Sequence, residues 1–446
     1  MPFTLVRKSD PTVYSLIQSE SKRQSESLMM IPSENHASKA VEEALSSSFG
    51  NKYAEGYPGR RYYQGNEFAD KVEQLCIDRA KKLFGVPYVN VQPHSGSPAN
   101  FAVLLALLSP GDVYMGLSLA SGGHLTHGAR LTAGSTFFTS VQYDVTPDGY
   151  IDYDQVMALA IKHKPKLIIA GTTAYPRLID WKKFRAIANK VGAYLQADVA
   201  HLAGLIVGGA YPSPVPYVDI VTTTTHKSLR GPRGAMIMVT DVGLKKNPDL
   251  GKKINSAIIP GIQGGPHLNS IAALAVALKE ASSTSFAKYA AQIVTNAGEL
   301  AKVMTAGGMK LVTGGTDSHL ILADVRPYHL LGNTMAEGCE AAGIILNRNG
   351  VPHDTNPPFY PSGIRLGTPG ITSRGMKQKE MKLIGTWLTD IAKELSVLAQ
   401  QIGPDMLLQK DPAVRAHIIA KSKVIPQVHK AVKALCKAFP LKDRYN

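Results

Sequence analysis

Cysteine is scarce: Cys76, Cys339 and Cys436 are spread through 446 residues with no CxxC spacing. A disulfide framework or a zinc site needs clustered ligands, so neither is expected, and the three side chains read as buried, reduced thiols. Aromatic residues make up 7% of the chain, and none interleave with basic runs as in a surface that stacks nucleic-acid bases. No apolar run approaches the length that spans a bilayer, and the start MPFTLVRKSDPTVY lacks a signal-peptide core. A cytoplasmic protein without a membrane partner is expected. Acidic residues are also short, 34 against 49 Lys and Arg, leaving a formal charge of +15. Part of the excess is local: Lys410, Arg415, Lys421, Lys423, Lys430, Lys433, Lys437, Lys442 and Arg444 face three aspartates in the last 46 residues. Without a nucleic-acid motif beside it, this charge reads first as a solvated helix face.

Present instead is βαβ alternation. KLIIAG (166–171) and AYLQAD (193–198) are short apolar strands, separated by IDWKKFRAIANKV (179–191), whose Trp181, Phe184, Ile187 and Ala188 recur at helical spacing. A third strand, 219–225, ends in four threonines, whose β-branched side chains suit a pleated chain. Crossovers of this length imply an α/β protein with a mostly parallel sheet covered on both faces, running from VNVQP at 89 to Val239. Beyond residue 280 the pattern turns to long amphipathic helices, such as 285–306, and a mixed α/β tail containing HLILADV. The expected organisation is an N-terminal helix and arm (1–30) packing on a partner chain, a large domain (31–280), and a smaller C-terminal α/β domain (281–446) with a basic tail. No internal repeat or low-complexity linker is present.

Ligands of open α/β sheets bind at the carboxyl ends of the strands. Asp198 closes one strand, His201 follows it, and Lys227 stands just past the threonines in VTTTTHKSLRGPRGA. An Asp to pair with a protonated ring nitrogen and a Lys to form a Schiff base can hold a pyridinium electron sink. Asp198 has a plainer alternative, capping the helix that follows. HSGSPAN places Ser95, Gly96 and Ser97 before the apolar helix FAVLLALL, a ready anion site. SGGHLTHG offers His124 and His127. Their spacing lacks a third metal ligand, so no metal is expected, and a flat imidazole against a flat cofactor fits better. Arg365, in SGIRLGTPGITSRG, has the planar fork that grips a carboxylate.

These residues sit in nine motifs: IPSEN, NKYAEGYPGRRYYQG, NVQPHSGSPAN, SGGHLTHG, ADVAHLAGL, VTTTTHKSLRGPRG, PGIQGGPH, LNRNGVPHD and SGIRLGTPGITSRG. Together, and in this order, they resemble the serine hydroxymethyltransferase (glycine hydroxymethyltransferase) family. The resemblance implies an aspartate-aminotransferase-like fold, pyridoxal 5'-phosphate as cofactor, and a homodimer, with a tetramer left open, whose active sites are shared between subunits. It implies that Lys227 carries the cofactor, Asp198 pairs with its ring nitrogen, His124 stacks on the ring, and His201 and Thr173 meet its phenolic oxygen. Ser95, Gly96 and Ser97 would take the phosphate, with Tyr53 and Gly265 from the neighbouring subunit. Ser33, Tyr63, His201 and Arg365 would hold the amino acid. Glu55 would handle protons, Thr224 joins the catalytic set, and Glu55, Tyr62, Leu125 and Asn349 match folate contacts. The implied reaction moves the hydroxymethyl carbon of L-serine to tetrahydrofolate, giving glycine and 5,10-methylenetetrahydrofolate.

Some positions depart from the family pattern: Pro32, Gln64, Ile259, Ser318, Gly370 and Ser373. Gln64 stands where glycine is usual, so backbone strain is expected if that residue needs a positive φ. Most flank the substrate side, which keeps open a related aldolase or an α-methylserine hydroxymethyltransferase. Nucleic-acid binding by the C-terminal segment stays open too.

Overall fold

The computed structural model describes Phe3 to Leu441, so Lys442 and Arg444 of the basic tail lie outside the described residues. The chain divides into two compact units. One is His36–Ala291; the other combines the residues up to Asn35 with those from Gln292 onward.

The first unit is built on seven strands: β1 Tyr88–Asn90, β2 Val113–Leu117, β3 Thr139–Tyr143, β4 Leu167–Gly171, β5 Tyr194–Asp198, β6 Ile220–Thr224 and β7 Ala235–Val239. Their order across the sheet is β1-β7-β6-β5-β4-β2-β3. All pairings are parallel except those of β7, which runs antiparallel to both β1 and β6. Strands β4, β6 and β7 are buried along their whole length, as expected of a sheet covered on both faces. The predicted first strand, 89–93, ends early at Asn90 because the Asn90 side chain takes the N–H of Gln92 at 2.9 Å and turns the chain away from the ladder. The helix Trp181–Val191 presents Trp181, Phe184, Ile187 and Ala188 inward, as its spacing predicts, and Asp180 caps it.

The second unit carries an antiparallel four-stranded sheet ordered Lys310–Leu311, Leu320–Asp324, Gly363–Gly367, Asn347–Asn349. Its core joins Leu28 and Met30 of the arm to the long helix Gln378–Ile402 and to Val428, Val432 and Cys436. Residues 28–30 at the end of the arm are thus held within this unit. Leu28 and Met29 pair in parallel with Ile344 and Ile345, and the Arg374 guanidinium donates to the carbonyls of Gln24 and Ser25 at 3.1 and 2.9 Å. The two preceding helices, Thr4–Ser9 and Pro11–Glu26, bury none of their residues fully. The expected boundary at 280 shifts to 291/292, inside the helix Thr284–Ala306, because Leu268–Ala281 packs inward on the sheet-bearing unit.

The basic tail is only partly a solvated face. Arg415 is buried against Glu337 at 2.7 Å, while Lys430, Lys433 and Lys437 stand exposed opposite Val428, Val432 and Cys436. The three cysteines are free and buried. Among the described residues no helix is long and apolar enough to cross a membrane, and no cluster of side chains is suited to a metal ion.

Candidate active site

Lys227 is buried just past the carboxyl end of β6. The turn that carries it is tied down: Gly231 N–H reaches the Thr225 carbonyl at 2.8 Å and Arg230 N–H the Lys227 carbonyl at 3.0 Å. The threonine run supplies this anchoring. Thr224 donates to Ala200 O at 3.3 Å, Thr223 to Thr224 O at 2.8 Å, and Thr225 to Pro232 O.

On the adjacent strand, Asp198 receives Asn100 Nδ2 at 2.7 Å and His127 Nε2 at 3.0 Å on Oδ2, and the N–H of Ala200 at 3.0 Å on Oδ1. The last bond closes a local turn and not a helix cap: the following helix, Ala203–Val207, starts from Leu202 without a side-chain cap, so the capping alternative considered from sequence does not hold. His127 Nδ1 accepts the N–H of His124 at 3.1 Å, which puts its ring proton on Nε2, facing Asp198. Burial opposes ionisation of Asp198, but the His127 bond, the nearby imidazoles and the Asn100 bond outweigh it and hold the carboxyl below its usual range. Gly171 leaves room for this pair, since a Cβ there would lie 2.6 Å from the Asp198 Cβ and 3.1 Å from His127 Cε1. His124 keeps Nδ1 as an acceptor, and burial lowers its pKa to about 4, so its ring is neutral at ordinary pH.

Ser95 begins the helix Gly96–Leu107 in an extended conformation, and its hydroxyl makes no capping bond to that helix. The plain capped turn considered from sequence is therefore not what the Ser95 hydroxyl makes. The loop meets β6 closely, because a Cβ on Gly96 would lie 2.8 Å from Thr224 Cγ2. Thr173 is committed elsewhere in part, donating to the Gly122 and Gly123 carbonyls at 3.2 and 3.0 Å, which leaves its oxygen able only to accept. His201 lies buried in the turn after β5, its carbonyl held by Ser228 Oγ at 2.7 Å.

Glu55 belongs to a clamped loop. Buried Arg61 donates Nη1 to the carbonyls of Ala54 and Gly56, on either side of Glu55, both at 2.8 Å, and pairs with Asp70 at 2.8 Å and Glu73 at 2.7 Å. Tyr53 packs on Gly265, whose built Cβ would lie 3.1 Å from the ring, and meets Tyr63 edge-on at 5.0 Å. Tyr53, Tyr62, Tyr63 and Leu125 are all exposed. Leu125 lines a cavity of about 600 Å³ with Ser97, Phe101, Thr126 and Ile262.

Three predicted residues belong to the other unit. Arg365 lies on Gly363–Gly367 beside Asn347, to which its Nε donates at 3.0 Å. Burial lowers its pKa to about 10, still charged at neutral pH. The Ser33 segment packs on the same strand: Gly367 N–H bonds Met30 O at 2.7 Å, and a Gly367 Cβ would lie 3.0 Å from Pro32. Asn349 ends the neighbouring strand.

Residues 6–388 match the family model described as serine hydroxymethyltransferase. The chain belongs to the serine hydroxymethyltransferase family. It is 50% identical over 424 residues to "Serine hydroxymethyltransferase" of Desulfotalea psychrophila, covering 94% of this chain and 98% of that one. It is 52% identical over 433 residues to the protein of the same name from Marinomonas sp., covering 97% and 96%. With that of Acidothermus cellulolyticus it shares 52% over 391 residues, 87% and 90% of the two chains. The family has the aspartate-aminotransferase-like fold and is pyridoxal-phosphate dependent, in line with the sheet described above.

Against the family pattern, the departures prove local. Gln64 is not among the residues with positive φ; Gly65, next to it, takes the left-handed turn at φ 73, so the expected strain does not arise. Gly370 is required as it stands, because a Cβ would lie 2.6 Å from Met29 O, and Ser373 bonds Asn35 at 2.7 Å. With Pro32 against Gly367, three departures fall on one packed seam of the second unit. Sequence reasoning missed His127, weighed only as half of a metal spacing, and Asn100, the lone amide opening an apolar helix. It also missed Arg61 within the tyrosine motif.

Proposed function

We propose that the chain catalyses the reversible transfer of the hydroxymethyl carbon of L-serine to tetrahydrofolate, giving glycine and 5,10-methylenetetrahydrofolate. The observation that carries the reading is Lys227 at the end of β6, next to β5, whose Asp198 is held ionised with Oδ1 bonded to the backbone N–H of Ala200. That donor set fits pyridoxal 5'-phosphate: an amine to hold the aldehyde carbon, a carboxylate for the ring nitrogen, a neutral imidazole for the ring face, and Ser95, Gly96 and Ser97 for the phosphate. When bound, the group supplies an electron sink for negative charge at the substrate α-carbon. Tyr53 and Gly265 of a second copy would complete the phosphate contacts.

Asp198 keeps the ring nitrogen protonated by remaining charged. His201 and Thr173 would meet the phenolic oxygen, and Thr224 braces the turn. Ser33, Tyr63, His201 and Arg365 orient the amino-acid carboxylate, for which the charged, buried guanidinium is suited. Glu55 moves the proton at the serine hydroxyl, its backbone fixed by Arg61. Tyr62, Leu125 and Asn349, with Glu55, receive the folate. A cytoplasmic homodimer with shared sites accommodates the exposed tyrosines of the Glu55 loop. The test is serine cleavage with and without tetrahydrofolate. Turnover that depends on folate and falls by about a thousandfold or more in Lys227→Ala is expected. Equal cleavage without folate would move the reading to a folate-independent aldolase.

A further inference from the structure

Asn100 uses every hydrogen-bonding position it has. Its Oδ1 accepts from Gln196 Nε2 and from Thr222 Oγ1, both at 2.7 Å, and its Nδ2 donates to Asp198 at 2.7 Å and to Thr126 Oγ1 at 2.8 Å. Asn100, Gln196 and Thr222 are each 1% exposed or less, so water cannot stand in for these partners. The amide orientation is forced. Flipped, its oxygen would face the Asp198 carboxylate, acceptor against acceptor, and its nitrogen would face the Gln196 amide donors.

The chain of bonds continues. Thr126 Oγ1 lies 2.8 Å from His124 Nδ1, which also accepts the Thr126 N–H at 3.2 Å. Nδ1 is thus an acceptor, so the Thr126 hydroxyl donates to it and receives from Asn100. The direction of every bond from Gln196 to His124 is then determined. We propose that Asn100 is a positioning residue that ties Asp198 to His124 through Thr126, so that the carboxylate and the imidazole that would meet the cofactor ring are oriented together. Asn100 touches neither ring nor substrate in this arrangement; it acts through its two partners. The inference rests on the cofactor reading above, although the network itself is a property of the chain alone.

The test uses two near-isosteric variants, the full chain and two readouts. Asn100→Asp keeps the acceptors for Gln196 and Thr222 but removes both donors. The Thr126 hydroxyl would then donate to the new carboxylate instead of to His124, and Asp198 would face a like charge. Thr126→Val cuts only the branch to His124, and Thr126→Ser restores it. In the apoprotein, ring ¹⁵N NMR of His124 should show Nδ1 moving toward a non-bonded ring nitrogen in Asn100→Asp and Thr126→Val, and returning in Thr126→Ser. The dissociation constant of pyridoxal 5'-phosphate should rise about tenfold or more in Asn100→Asp and stay within about threefold in Thr126→Val. An unchanged His124 signal in Thr126→Val overturns the proposal even if Asn100→Asp does not fold. Wild-type affinity in a folded Asn100→Asp overturns it as well. Failure of the wild-type protein to bind pyridoxal 5'-phosphate at all would instead sink the cofactor reading.

Discussion

Two partly buried histidines make the apoprotein acid-sensitive in a defined window. Burial lowers His124 to about 4, and burial with the neighbouring Arg233 and Lys227 charges lowers His226 to about 3. Each ring is neutral when folded but takes a proton near pH 6.5 when unfolded, so the unfolded chain binds more protons below that pH. Their contribution to stability is therefore present above about pH 6.5 and is lost as pH falls toward 4. Denaturant unfolding of the apoprotein should show a loss of roughly 1 to 2 kcal/mol per ring between pH 7 and pH 5. His226→Gln should remove part of that dependence, and a flat profile over this range would contradict the assignment. Asp198 adds a further loss at lower pH, because its folded pKa lies below the ordinary carboxylate value. At this scale the sequence was informative on position, as at Asp198, which closes its strand, and Lys227, which stands just past the end of the next. It was silent on His127 and Asn100, because a polar side chain's partner is fixed by which strands and helices the fold brings beside it.

Elements place the site through close approaches that tolerate no added atom. A Cβ on Gly96 would lie 2.8 Å from Thr224 Cγ2, so Gly96→Ala should push the serine loop off β6 and weaken binding of pyridoxal 5'-phosphate. Adding Thr224→Ser removes that methyl group. The double variant should bind the cofactor more tightly than Gly96→Ala alone, a coupling readable by fluorescence titration. Strictly additive losses would show that the contact does not matter. The Glu55 loop has a comparable dependence on Arg61. Removing this guanidinium leaves Glu73, which burial already pushes up, without its countercharge. Arg61→Met should cost about 3 to 5 kcal/mol in chemical unfolding, and Glu73→Gln in the same background should recover part of it. The strands were legible from apolar runs, and the helix 181–191 from its spacing. Less visible was the early end of β1, which depends on one Asn90 side-chain bond.

For the whole molecule, the sequence conveyed two bodies but not where residues 28–30 pack. Residues 28–30 look like an isolated extended stretch in one dimension, and only the folded second unit reveals Leu28 and Met30 as part of its core. The exposed Tyr53, Tyr62 and Tyr63, with Glu55 beside Gly264, suit a site completed by a second copy. Sharing can be tested by complementation. Lys227→Ala and Glu55→Gln should each be inactive, but unfolding and refolding them together in equal amounts should restore about a quarter of wild-type activity, since half the dimers are mixed and each holds one intact site. No recovery in verified mixed dimers would place both residues in one chain's site.

The most direct test of the account as a whole is the visible spectrum of the protein loaded with pyridoxal 5'-phosphate, taken with glycine before and after tetrahydrofolate. The account predicts a long-wavelength band from negative charge delocalised into the cofactor ring, growing sharply when folate is added and missing in Lys227→Ala loaded the same way. A wild-type spectrum indifferent to folate would contradict it.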